Sequence, residues 1–137
     1  MGQWVSSNHN NADEYVGSSL PFATGSIAVL NGVGKCVRFP YVTRFIQIFN
    51  NDSGTDGLRV GFTENGVNSL GTPPQHNYFV VAAGESSAML EIKCTEVWLA
   101  GNGGDVSACS VVAGYTNIPK TSFVGVITGS ANFDGVG

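Results

Sequence analysis

Short runs of alternating apolar and polar residues, separated by turn formers, predict an all-β protein: a single jelly-roll β-sandwich of about eight antiparallel strands preceded by an extended arm. Three observations carry this. Leu58-Arg-Val-Gly-Phe-Thr63 alternates with period two, with Leu58, Val60 and Phe62 on one face and Arg59, Gly61 and Thr63 on the other. Val42–Asn50 just before it is rich in β-branched and aromatic residues, and the two runs are joined by the turn formers Asn51-Asp-Ser-Gly-Thr-Asp-Gly57. No window of helical length carries apolar residues at i, i+3, i+4 and i+7. An immunoglobulin-like sandwich is the main rival, but it lacks its Cys-Trp-Cys framework here.

In chain order, residues 1–22 read as an arm, 23–128 as the sandwich and 129–137 as a tail. Gln3 to Leu20 is mostly Asn, Ser, Gly and acids, with little periodicity. Gly25–Leu30 is apolar and ends at Asn31-Gly32, a turn pair. Lys35–Phe39 alternates until Pro40 interrupts it, so Gly25–Leu30 and Lys35–Phe39 read as a β-hairpin leading into Val42–Asn50. Glu64 to His76, with its Gly, Pro and Asn residues, is a long loop. Asn77–Ala82 is a strand and Ala83-Gly-Glu-Ser86 a turn. Ala88–Cys94 alternates, with Leu90, Ile92 and Cys94 inward and Met89, Glu91 and Lys93 outward. Glu96–Ala100 is the next strand, and Asn102-Gly-Gly-Asp105 a strong turn. Val106–Gly114 is apolar on both faces, which makes it central or sandwiched. Ser122–Thr128 reads as a last strand.

Composition narrows the functional classes. At 137 residues the chain has the length of one domain and buries a core without staples. Hydrophobic residues make up 42 % of it, and charged residues 12 %, about half the usual share. So lightly charged a surface suits a protein that lives in contact with others. The net charge of -4 comes without a basic patch, which argues against nucleic-acid binding. No apolar run is long enough to span a membrane, and the polar N-terminus does not read as a secretory signal. Cys36, Cys94 and Cys109 lie in apolar strand-like runs, and their odd number speaks for free thiols in a reducing cytoplasm.

No group of residues assembles into a reaction centre. His9 and His76 have no Ser, Cys or second His at motif spacing, so neither a triad nor a zinc site is expected. Asp52 and Asp56 on the Gly-containing loop offer hard oxygen ligands, but without EF-hand spacing they read as turn residues. Glu91 and Glu96 invite comparison with a glycosidase pair, yet Glu91 is on the outward face of its strand. Gly32-Val-Gly34 and Gly101-Asn-Gly-Gly104 join strand to strand and open no helix, so they are turns and not phosphate cradles. Asn51-Asp-Ser53 has the form of a glycosylation triplet and Met1-Gly-Gln-Trp-Val-Ser6 that of a myristoylation signal, both short enough to arise by chance. Trp98 and Tyr78 keep open a carbohydrate-binding module that stacks on sugar, although single aromatics in strands more often belong to the core. No catalytic residue, cofactor or metal is therefore expected. Trp4, Tyr15 and Phe22 on the arm and Phe133 on the tail are apolar residues in polar stretches, and these are the candidate interface residues.

Arg44-Phe-Ile-Gln-Ile-Phe-Asn50, Leu58-Arg-Val-Gly-Phe-Thr-Glu-Asn-Gly66, Asn77-Tyr-Phe79, Gly84-Glu-Ser86, Leu90 to Leu99 and Val111-Val-Ala-Gly-Tyr-Thr-Asn-Ile118 follow one another in that order. Together they resemble the small single-jelly-roll capsid proteins of icosahedral DNA viruses, over roughly residues 37–128. The resemblance implies a non-enzymatic virion protein, folded in the host cytoplasm and incorporated in the capsid. It would be the penton subunit at five-fold vertices, or else a decoration, cement or other minor capsid protein. Its partners would be itself, as a homo-oligomer with a pentamer favoured, and neighbouring capsid proteins. A closed ring of such units uses heterologous side-to-side contacts.

Overall fold

The computed structural model describes residues 20–68 and 76–119 together with Thr121. Among the described residues seven strands are formed: β1 (Pro21–Val29), β2 (Lys35–Arg38), β3 (Tyr41–Asn50), β4 (Gly57–Gly61), β5 (Tyr78–Val81), β6 (Glu96–Asn102) and β7 (Val106–Pro119). One helical turn, α1 (Glu64–Val67), stands in the loop after β4. The strands make two antiparallel sheets, β1-β7-β3 and β2-β6-β4-β5. The all-β sandwich read from the sequence is thus present.

The core lies between the sheets. Ile46 and Ile48 of β3, Leu58 and Val60 of β4, Val97 and Leu99 of β6 and Val111 and Ala113 of β7 meet there fully or nearly fully buried. Period two explains the selection, since each of these residues is two positions from the other on its strand. β7 is the central strand of its sheet, as its two apolar faces predict, and it runs on to Pro119, beyond the expected end at Gly114. β1 begins at Pro21, so Phe22, placed on the arm by its sequence context, is a strand residue. Register shifts break its pairing with β7 between Thr24 and Val29, and Ser26 sits there at φ 55. A shift with a left-handed residue is the mark of a β-bulge.

The expected strand 88–94 is not formed: no strand stands between β5 and β6, and the segment meets β3 only at isolated bridges. Its alternation holds: Cys94 is buried, Leu90 and Ile92 pack on the core, and Met89 is 58 % exposed. Its ladder with β3 is reduced to two bridges, Phe49 with Ser86 and Ile46 with Leu90, followed by a Thr43 N–H to Cys94 carbonyl bond of 2.9 Å. Two hydroxyls take the missing places. Ser87 Oγ accepts from Ile48 N–H at 3.0 Å, and Thr43 Oγ1 donates to the Ile92 carbonyl at 2.6 Å while accepting from Cys94 N–H at 3.1 Å. Side chains that compete for backbone partners interrupt regular strand pairing. The segment 84–95 nevertheless runs beside the free edge of β3, without adding a strand to that three-stranded sheet.

The pairings are nested. β1 pairs with β7, β2 with β6, β3 with the segment 84–95, and β4 with β5. The turns after β1, β3, β5 and β6 consequently share one end of the sandwich. The start of β1, the end of β7 and the link from β2 to β3 share the other. The expected strand 122–128, the tail 129–137 and most of the arm lie outside the described residues, as do Trp4, Tyr15, Phe133 and His9.

Candidate functional site

At the turn end, a network of side chains replaces bulk packing. Asn50, fully buried at the end of β3, donates from Nδ2 to the carbonyls of Asp56 and Val81, both at 3.0 Å. Its Oδ1 accepts from Asp52 N–H, its own N–H donates to the Glu85 carbonyl, and its carbonyl accepts from Gly84 N–H. One side chain thereby joins both sheets and two turns. Asp52 accepts from Ser107 N–H at 2.9 Å, Ser107 Oγ at 2.7 Å and Gly54 N–H at 3.0 Å. The Ser107 donors hold its carboxyl below the usual aspartate value. Its oxygens are engaged in bracing the turn, as the turn reading of Asp52 and Asp56 anticipates. Asn31 takes part as well: its N–H donates to Asp105 and its Oδ1 accepts from Gly103 N–H. Gly103, at φ 90, makes the β6–β7 turn that its Gly-Gly pair foretells.

The opposite end is aromatic. Phe39 is fully buried, and its ring meets Phe22 edge-on at 5.1 Å and Tyr115 at 6.1 Å. Tyr115 also touches Phe22 at 5.7 Å and Tyr41 at 5.9 Å. Phe22 therefore has a packing partner within the sandwich. The Tyr115 hydroxyl is buried without a hydrogen-bond partner among the described residues, and burial pushes its pKa up to about 12.

The outer face of the four-stranded sheet carries most of the polar side chains singled out in the sequence. Arg59, read as the outward face of β4, does point that way but is buried. It donates from Nε to Asn102 Oδ1 and from Nη1 to the Val67 carbonyl, both at 3.0 Å, and its guanidinium lies 4.5 Å from the centre of the Tyr78 ring. α1 covers it. Thr63 caps this turn by accepting from Gly66 N–H, and Val67 is set down on Gly61, where a Cβ would come within 2.6 Å of a Val67 methyl. Gly61 pairs with Trp98 on one side and Tyr78 on the other. The two aromatics proposed for sugar stacking are thus separated by Val67, and Tyr78 already has Arg59 on its ring. Trp98 Nε1–H and Cys36 Sγ–H both donate to Glu96 Oε2. Burial and that bond push the Cys36 thiol up to about 12, which favours its protonated form. Burial likewise raises Cys94, and Cys109 to about 11.

Glu91 and Glu96 belong to different sheets, the first on the segment beside β3 and the second on β6. His76 is exposed, with its ring edge-on to Tyr78 at 6.0 Å. Among the described residues no three His, Cys, Asp or Glu side chains converge as for a metal ion, and no helix is long and apolar enough to cross a membrane.

What the described surface offers is apolar area for contact. Phe45 and Phe49 alternate with the buried Ile46 and Ile48, so they face out from the three-stranded sheet beside Val112. Leu20, Leu30, Val33, Val80 and Met89 are 42–59 % exposed. Between β5 and residues 85–90 the two sheets part around a groove of about 250 Å³, floored by Phe79, Val81 and Leu90. The sequence missed this groove because it is made by two edges far apart in the chain, each reading only as an ordinary strand. No protein-family model, curated protein or solved structure matches the chain.

Proposed function

We propose that the chain is a structural capsid subunit of an icosahedral DNA virus, built on a jelly roll and assembling as the penton capsomer at five-fold vertices. The nested pairing is the observation that carries this reading. An antiparallel ribbon of eight passages rolled on itself pairs first with last, second with seventh, third with sixth and fourth with fifth, which is the two-Greek-key logic of a jelly roll. The ladders β1–β7, β2–β6 and β4–β5 fit that order, and the two bridges between β3 and the segment 84–95 support reading that segment as the sixth passage. The motifs between Arg44 and Ile118 that resemble small capsid proteins lie on β3, β4, β5, β6, β7 and the connections between them. Outward Phe45, Phe49 and Val112 with a charged share of only 12 % suit a unit packed among copies of itself and neighbouring capsid proteins.

As penton, the protein has no substrate and works by geometry. Its braced turns give a stiff tip, and its lateral edges make head-to-tail contacts that close when the rotation per subunit is one fifth of a turn. The mass of the purified full chain by light scattering, over a range of concentrations, tests the proposal. A pentamer supports the vertex role. A trimer replaces it with the decoration or cement role. A monomer that binds glycans on an array overturns both in favour of the carbohydrate-binding module.

A further inference from the structure

The groove between β5 and residues 85–90 has a shape that asks for an occupant. At about 250 Å³ it exceeds the roughly 150 Å³ that holds a benzene ring in an apolar cavity, so it takes a large aromatic side chain. Its floor is Phe79, Val81 and Leu90, which pack with the core, and Val80 lines it at 46 % exposure. Its rim is polar: Ser86 and the exposed Glu85 offer acceptors to a ring that carries an N–H. An apolar floor with an acceptor at the rim is the environment of a tryptophan.

Position selects the source. The groove lies where the two sheets present the outer edges of β5 and the segment 84–95, at one side of the sandwich. β1 is the edge strand at the other side, three strand spacings or about 14 Å away across its sheet. The chain preceding β1 thus joins the sandwich at the side opposite the groove, whereas β7 ends in mid-sheet. Copies placed side by side, donor edge to acceptor edge, put the N-terminal segment of each one next to the groove of its neighbour. This is the heterologous arrangement that closes a ring. From Leu20 back to Trp4 an extended chain reaches roughly 50 Å, which is ample for the crossing. Trp4 is the one tryptophan of that segment.

We propose that the groove between β5 and residues 85–90 of one copy receives Trp4 from the N-terminal segment of the adjacent copy. The indole fills the space over Phe79, Val81 and Leu90 and donates its N–H to Glu85 or Ser86. This rests on the reading of the protein as a side-by-side assembly, and it names the contact that links one subunit to the next.

The test uses the full chain with the photo-crosslinker benzoylphenylalanine at position 4, mixed with isotopically heavy chain so that crosslinks between copies are distinguished from those within one. Crosslinks between copies that map to residues 79–90 are expected. Trp4→Ala and Ser86→Trp, the second filling the groove from its exposed rim, should each raise the concentration needed for assembly about tenfold or more. Circular dichroism checks that Ser86→Trp keeps its fold. An assembly of unchanged mass whose crosslinks map elsewhere, or within one copy, overturns the groove contact and leaves the capsid reading standing. A chain that stays monomeric at every concentration overturns both.

Discussion

The two ends of the sandwich are held by different physics. At the turn end, hydrogen bonds from Asn50, Asp52 and Asn31 tie four short connections to each other and to both sheets. At the other end, Phe22, Tyr41 and Tyr115 of the three-stranded sheet and Phe39 of the β2–β3 link are joined by ring contacts, and one hydroxyl has no partner among the described residues. Directional bonds fix positions, whereas ring contacts tolerate small shifts. The difference teaches where the sandwich is stiff and where it adapts. A braced tip keeps its shape, and the aromatic end, where β1 starts and β7 ends, is free to shift.

That contrast is open to experiment. The largest effect is expected at the aromatic end. Phe39→Ala opens a cavity beneath Phe22 and Tyr115 and should cost about 3–5 kcal/mol in urea unfolding. At the braced end, Asn50→Leu keeps the volume but strands the carbonyls of Asp56 and Val81, with an expected cost of about 2–4 kcal/mol. Hydrogen exchange separates the two variants: Asn50→Leu should expose the amides of Gly84 and Asp52, and Phe39→Ala should leave them protected. If both variants loosen both ends alike, the sandwich is one cooperative unit and the contrast fails.

Tyr115→Phe removes the orphan hydroxyl and should leave stability unchanged or raise it by up to about 1 kcal/mol. Its effect grows with pH. A tyrosine raised from 10.0 to about 12 adds stability that is complete below pH 10 and lost as pH climbs toward 12, so the variant should resist alkaline unfolding better in that window. The smallest effect belongs to Asp52. Its lowered carboxyl contributes stability that is present above its unfolded value of 3.8 and lost as pH falls through the folded one. Asp52→Asn should flatten the acid limb of the stability curve and leave the alkaline limb unchanged.

Much of this architecture was legible in the residues. Period two marked which face of β3, β4 and β6 turns inward, and Asn-Gly, Gly-Glu and Gly-Gly pairs marked the turns. What escaped had non-local causes. Arg59 reads as a surface residue because its strand alternates, yet α1 and Tyr78, supplied by a loop and another strand, bury it. α1 itself is too short for any periodicity and rests on Thr63 as its cap. The segment 88–94 has the right alternation for a strand, but no pattern reveals that Ser87 and Thr43 will take over its ladder. Phe22 looks like an interface residue beside polar neighbours, and only its pairing opposite Ala113 reveals the ring cluster it joins. Asn50 is one asparagine among many in the sequence, and its role as the hub of five bonds follows from where β3 ends.

The central claim is that this sandwich is one wedge of a closed ring. Negative-stain electron microscopy of the purified full chain, with class averages computed without imposed symmetry, addresses it directly. The account predicts rings of five units with the chain termini gathered on one side. Isolated particles the size of a single sandwich, at concentrations where the protein is folded, would contradict it.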